Sequence, residues 1–149
     1  MKKERKALYC NLFFPGLGQW ILDERLKGTA LFLLQSFLFW RSHAYETLMQ
    51  SMEGDIQSAI SHIQYNWYLF HPGFYFFSLW DVYKKSGAKP YAYVPFVSAV
   101  YAMTTGMFLS EKARIFGRLW GPIWFPLLCL LPGVSIGYIL QRFMKKNAS

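Results

Sequence analysis

Five long apolar segments constrain this chain more than any other feature of its sequence. They cover residues 7–22, 26–40, 65–83, 91–109 and 119–140. A helix rises about 1.5 Å per residue, so crossing about 30 Å of hydrocarbon takes roughly 20 apolar residues. The third, fourth and fifth segments satisfy this. The second is shorter, but Lys27 and Arg41 bracket it and can reach out to the two interfaces. Aromatic residues gather at the segment ends: Trp40, then Tyr65, Trp67 and Tyr68, then Trp80 and Tyr83, then Tyr91 and Tyr93, and finally Trp120 and Trp124. Amphipathic rings favour the headgroup level of a bilayer. Composition agrees. Of the residues, 54% are hydrophobic and only 16% charged, against about a quarter charged in soluble domains. The expected fold is an all-α, polytopic integral membrane bundle with four spanning helices.

The first segment decides the topology. It contains Pro15, Gly16 and Gly18. Proline removes a backbone donor and glycine frees the turn, so this segment is expected to be re-entrant or half-spanning. With that arrangement, twelve of the sixteen basic residues fall on one side. A full span would divide them evenly. Basic residues concentrate on the cytoplasmic face. Both termini are therefore expected in the cytoplasm, in a multi-pass protein of a bacterial cytoplasmic membrane. Lys112, Arg114 and Arg118 stand against the rule, on the external side. The basic start followed by an apolar run is similar to a signal peptide, but no small-x-small cleavage site follows, and retention is expected.

Residues 44–64 form the one sizeable hydrophilic connection and contain no Lys or Arg. Tyr45, Leu48, Met49, Met52, Ile56, Ile60 and Ile63 recur at helical spacing, which predicts an external amphipathic stretch. Gly54 interrupts it, and Asp55 is placed to cap a second helix. In the later segments small residues recur every fourth position: Ser98, Ala102 and Gly106, then Gly133 and Gly137. Such stripes let helices approach closely in lipid, within one chain or between two copies.

The net charge of +8 does not require nucleic acid, because no basic stripe lies on a soluble module and the membrane topology accounts for it. Cys10 and Cys129 lie in apolar runs and are expected to be inert thiols. His43, His62 and His71 lack metal-ligand spacing, so no metal and no cofactor are expected. No nucleophile, base and orienting residue share a motif. Asp81 is the ionisable group to watch, since a charge near membrane depth is a functional candidate. Lys84 and Lys85 share its helical face, and Arg25 or Lys27 could reach it from the first turn.

Phe14-Pro15-Gly16-Leu17-Gly18-Gln19-Trp20, then Lys27-Gly28, then Leu79-Trp80-Asp81-Val82-Tyr83 resemble small bacterial membrane proteins related to the TM2 domain. The resemblance covers about residues 7–83. It departs at Ile21-Leu22-Asp23-Glu24, where the family has an aromatic-Tyr-x-Gly element, and in the 44–64 insert. It implies a compact membrane hairpin and no established chemistry. Residues 1–149 are then read as one membrane domain, a TM2-like part over 7–83 followed by a further two-helix part over 84–149. The expected function is a non-enzymatic accessory protein, in contact with lipid and with another membrane protein or a second copy. The alternative is a small transporter or channel subunit with a broken-helix site around Pro15-Gly16 and Pro132-Gly133, where Cys129-Leu130-Leu131-Pro132-Gly133 echoes Cys10 to Gly16. The candidate site residues are Pro15, Gly16, Gly18, Arg25, Lys27, Trp80, Asp81, Gly106, Gly133 and Gly137.

Overall fold

The structure, a computed structural model, describes residues 3–147. It is all-α, 77% helical, with a single two-stranded ribbon among the described residues. The elements are α1 (Lys3–Phe13), α2 (Leu17–Ile21), α3 (Arg25–Arg41), α4 (Ala44–Glu53), α5 (Ile56–His62), α6 (Tyr65–Tyr68), α7 (His71–Lys85), α8 (Val94–Leu109), β1 (Arg114–Ile115), β2 (Arg118–Leu119) and α9 (Gly121–Asn147).

Local chemistry explains most boundaries. The first apolar segment breaks at Pro15-Gly16, where Gly16 takes φ +100°, a conformation that side chains disfavour. The hydrophilic connection forms two helices. Gly54 ends α4 in the left-handed region, and the Asp55 carboxylate caps α5 by accepting from the Ser58 amide at 3.1 Å. That bond holds the Asp55 carboxyl below its usual range.

The four-span expectation does not emerge from helix length. Among the described residues, α9 alone is long and apolar enough to cross a membrane, while α8 is apolar but has 16 residues. The third apolar segment, read as one run over 65–83, is split into α6 and α7. Pro72 has no amide hydrogen to donate one turn back, so the helix restarts with proline in its first turn. The expected break at Pro132-Gly133 is absent, because α9 continues through both Pro126 and Pro132. A long helix packed closely along a neighbour survives the loss of single ladder bonds.

Ion pairs and packing sort the molecule into two ends. Lys3 pairs with Asp23, Lys27 with Asp81 and Lys85 with Glu24, which gathers the start of α1, the α2–α3 turn and the end of α7. The Trp80 and Tyr83 rings meet those of Tyr93 and Phe96. Gly137 of α9 lies against Pro95 of α8. The start of α8 and the later part of α9 therefore share that end. At the opposite end the Trp124 indole donates to the Ser51 carbonyl at 3.1 Å, Gly121 meets Ile56, and the Tyr65 and Ser110 hydroxyls stand 3.0 Å apart. Both ends of the described chain thus lie together, opposite the 44–64 connection.

The interior is unusual in what it holds. Fully buried side chains include Asn11, Gln19, Ser42, Thr47, Ser78 and Ser110, besides Met107, Val82 and three prolines. Large apolar residues such as Leu33, Trp40, Tyr101, Phe108, Leu131 and Phe143 are exposed.

Candidate functional site

The polar interior is concentrated where the broken first segment meets α7. Restarting the helix at Leu17 leaves the first amides of α2 in need of acceptors. Asn11, in the last turn of α1, supplies one: its Oδ1 accepts from the amides of Gly16 at 2.8 Å and Gly18 at 3.2 Å. Its Nδ2 donates to the Ser78 hydroxyl of α7 at 2.9 Å. Gln19 follows in α2, and its Nε2 donates to the Ser78 carbonyl at 3.0 Å and to Asp81 Oδ2 at 3.2 Å. Asn11, Gln19 and Ser78 are all 0% exposed, so each bond replaces water that cannot enter.

The charges continue this network toward the molecular end. Asp81 Oδ1 pairs with the Lys27 ammonium, and its Oδ2 lies 3.7 Å from Lys85. Lys85 also pairs with Glu24, which lies 4.0 Å from Lys27. Two carboxylates and two ammonium groups thus alternate between the start of α3 and the end of α7 and neutralise one another. The Asp81 side chain is 15% exposed, so water screens its bonds only partly.

Close backbone approach makes the network possible. A Cβ on Gly16 would collide with the Gly28 carbonyl oxygen, and one on Gly18 would lie 2.7 Å from the Ala7 carbonyl oxygen. Pro15 sits at the break, half-buried, and lines an open cleft of about 610 Å³ between α1, α3, α4 and α7. Gly16, Gly18, Lys27 and Asp81 are therefore brought together. Arg25 is not: it is exposed, and the groups that act on Asp81 are Lys27, Gln19 and Lys85. Trp80 faces α8, where its ring lies 5.6 Å from that of Phe96 at a tilt of 59°. Gly106, Gly133 and Gly137 form a separate α8–α9 seam. A Cβ on Gly106 would lie 2.8 Å from Pro126 Cα, one on Gly137 2.5 Å from Pro95 Cα, and one on Gly133 would overlap Ala102. Ser98 donates to the Gly133 carbonyl at 2.6 Å.

Sequence reasoning did not select Asn11, Gln19, Ser78 or Glu24. The available signal was a polar residue inside an apolar run, which reads equally well as an interruption. A second buried group centres on His71, which the sequence marked only as a histidine without metal-ligand spacing. His71 is 8% exposed, with Nδ1 2.7 Å from Gln35 Nε2 and Nε2 3.1 Å from the Ser42 hydroxyl. With the amide donating to Nδ1, Nε2 carries the ring proton and donates to Ser42, which donates in turn to the Phe39 carbonyl at 3.3 Å. Both ring nitrogens are occupied in joining α3 to α7.

Among the described residues no group of three or more His, Cys, Asp or Glu is placed to hold a metal ion. The arrangement as a whole is a clamp, in which polar atoms are spent on one another. Comparison with protein-family models, curated proteins and solved structures finds no match to this chain.

Proposed function

We propose that this chain is an integral membrane protein that acts by binding another membrane protein and has no chemistry of its own. The observation that carries the reading is the partition of side chains: amides and hydroxyls are fully buried beside a small apolar core that includes Leu38, Phe76 and Leu79, while many large Leu, Phe and Trp residues are exposed. Water would oppose that distribution, whereas hydrocarbon favours it. In α9 only 17% of the most apolar window is buried within the protein, unlike the core helix of a soluble domain.

On this reading α3, α7 with α6, α8 and α9 span the membrane, and α1–α2 goes part way. The 17 residues of α3 and 16 of α8 give lengths of about 25 Å, and such short spans are accommodated by local thinning and by flanking basic residues. Both ends of the described chain, the α2–α3 turn and residues 84–89 lie at one end, and most of the basic residues fall there by sequence, which supports a cytoplasmic placement in a bacterial inner membrane. The clamp joining the glycine-rich segment to the Trp80-Asp81 element supports the TM2-like relationship as a compact hairpin. A clamp whose groups satisfy one another, together with long exposed apolar faces, suits an accessory subunit better than an enzyme.

Membranes from the native host, washed with alkaline carbonate and solubilised in mild detergent, test this. The chain is expected to stay with the membrane and to co-purify with a stoichiometric second polypeptide. Release by carbonate overturns the membrane reading. A lone homo-oligomer that conducts ions in planar bilayers replaces the accessory reading with the channel alternative.

A further inference from the structure

We propose that the β1–β2 ribbon is a phosphate-binding finger that seats among anionic lipid headgroups, with Phe116 as its apolar tip. The inference rests on the membrane reading above and adds a lipid-recognition site to it.

The ribbon joins α8 to α9, pairing Arg114 with Leu119 and Ile115 with Arg118. Its two-residue turn is Phe116-Gly117, both with positive φ, +52° and +77°. Asn-Gly is the usual occupant of such a turn, and a bulky aromatic there is strained. The chain nevertheless places a phenylalanine at this position and leaves it 99% exposed. In water that placement costs twice, in backbone strain and in apolar exposure. An apolar phase removes the second cost.

The charges point the same way. Lys112, Arg114 and Arg118 are exposed, and among the described residues no carboxylate pairs with any of them. By register, Arg114 and Arg118 leave opposite faces of the ribbon and so flank Phe116. A guanidinium fork matches phosphate oxygens in a bidentate way. The ribbon is also braced: the Trp120 indole donates to the Ile115 carbonyl at 3.4 Å, and the Lys112 and Ala113 amides donate to the Leu109 carbonyl.

Reach decides between lipid and an aqueous partner. Two residues of strand advance about 7 Å, and each headgroup layer is about 5–8 Å deep. The four residues 110–113 between α8 and the ribbon fold back on the Leu109 carbonyl through the Lys112 and Ala113 amides, so a ribbon of this size ends at about the level of the lipid phosphates. This also accounts for three basic residues standing against the charge rule, because their counter-ions are the headgroups.

The test places 4-fluorophenylalanine at position 116 of the whole protein in nanodiscs, and compares fluorine relaxation by dissolved oxygen with relaxation by an aqueous gadolinium chelate. In nanodiscs containing phosphatidylglycerol, the chelate effect is expected to be several-fold smaller than in phosphatidylcholine alone. Arg114→Gln with Arg118→Gln should abolish that difference. Phe116→Asn, read by thermal melting, should leave the protein at least as stable in detergent, because the turn is relieved, while removing the extra stability that phosphatidylglycerol confers on wild type. A fluorine equally exposed to the chelate in both lipids overturns the proposal, as does a double variant that keeps the wild-type response. Inorganic phosphate reproducing the fluorine shift in detergent assigns the site to the free ion instead, and a crosslink from position 116 to a protein, independent of lipid, assigns it to that protein. A second fluorine at Tyr101, 72% exposed in mid-α8, separates the readings. If it too meets the chelate, the membrane reading has failed. If it does not, failure at 116 is failure of the finger alone.

Discussion

At the scale of single residues, Asp81 concentrates the argument. It stands at the end of an apolar run, where a carboxylate needs a cation, and Lys27 and Lys85 supply two while Gln19 supplies a donor. An exposed ion pair contributes at most about 1 kcal/mol, and breaking a fully buried one costs about 3–5 kcal/mol. Asp81 lies between, so Asp81→Asn is expected to cost about 2 kcal/mol, close to the worth of hydrogen bonds to a charged group. Thermal melting in detergent checks the magnitude. Limited trypsin digestion checks the location, with faster cleavage after Arg25 as the α2–α3 turn loosens. Unchanged melting and cleavage would reduce Asp81 to a solvated surface charge. The need for a partner was readable at Asp81 from its setting. Asn11 gave no such warning, because its partner Ser78 is 67 residues away and only folding brings them together.

At the scale of elements, proline and glycine act according to what surrounds them. Pro72 and Pro95 open α7 and α8, where a missing amide hydrogen leaves no bond unmade. Pro15 with Gly16 breaks the first segment, whereas Pro132 with Gly133 leaves α9 continuous. The two dipeptides match in sequence and differ in neighbours. Gly16 approaches the α3 backbone after a chain reversal, and Gly133 faces Ala102 and Ser98 along a packed helix pair. The glycine seam yields a graded expectation. Gly137→Leu and Gly106→Leu meet backbone atoms of Pro95 and Pro126, which cannot swing aside, so each should destabilise by about 3 kcal/mol or more. Gly73, with nothing within 4 Å, should accept Leu with little loss. Melting temperatures of the three variants in one detergent decide this, and equal values would show that α8 and α9 do not pack through the seam.

At the scale of the whole molecule, ion pairs and helix packing set both ends of the described chain at one end and the 44–64 connection at the other. In the proposed membrane setting, single cysteines at Gln57 and Asn147, introduced without Cys10 and Cys129, should label from opposite sides. An impermeant thiol reagent applied to intact cells should reach position 57, and position 147 should react only after the membrane is opened. Equal labelling from one side would refute the proposed placement.

By itself the sequence determined the helical class, the break at Pro15-Gly16 and the Gly54–Asp55 division of the connection. Each is a local effect, set by hydrophobic period, by a missing amide hydrogen or by one capping carboxylate. Tertiary structure alone decided that Pro132-Gly133 would not break α9, that Lys27 and not Arg25 would meet Asp81, and that Asn11, Gln19 and Ser78 would form one buried network. Those outcomes depend on what stands opposite a residue across a helix interface, and a proline or an amide carries no local mark of its distant neighbour.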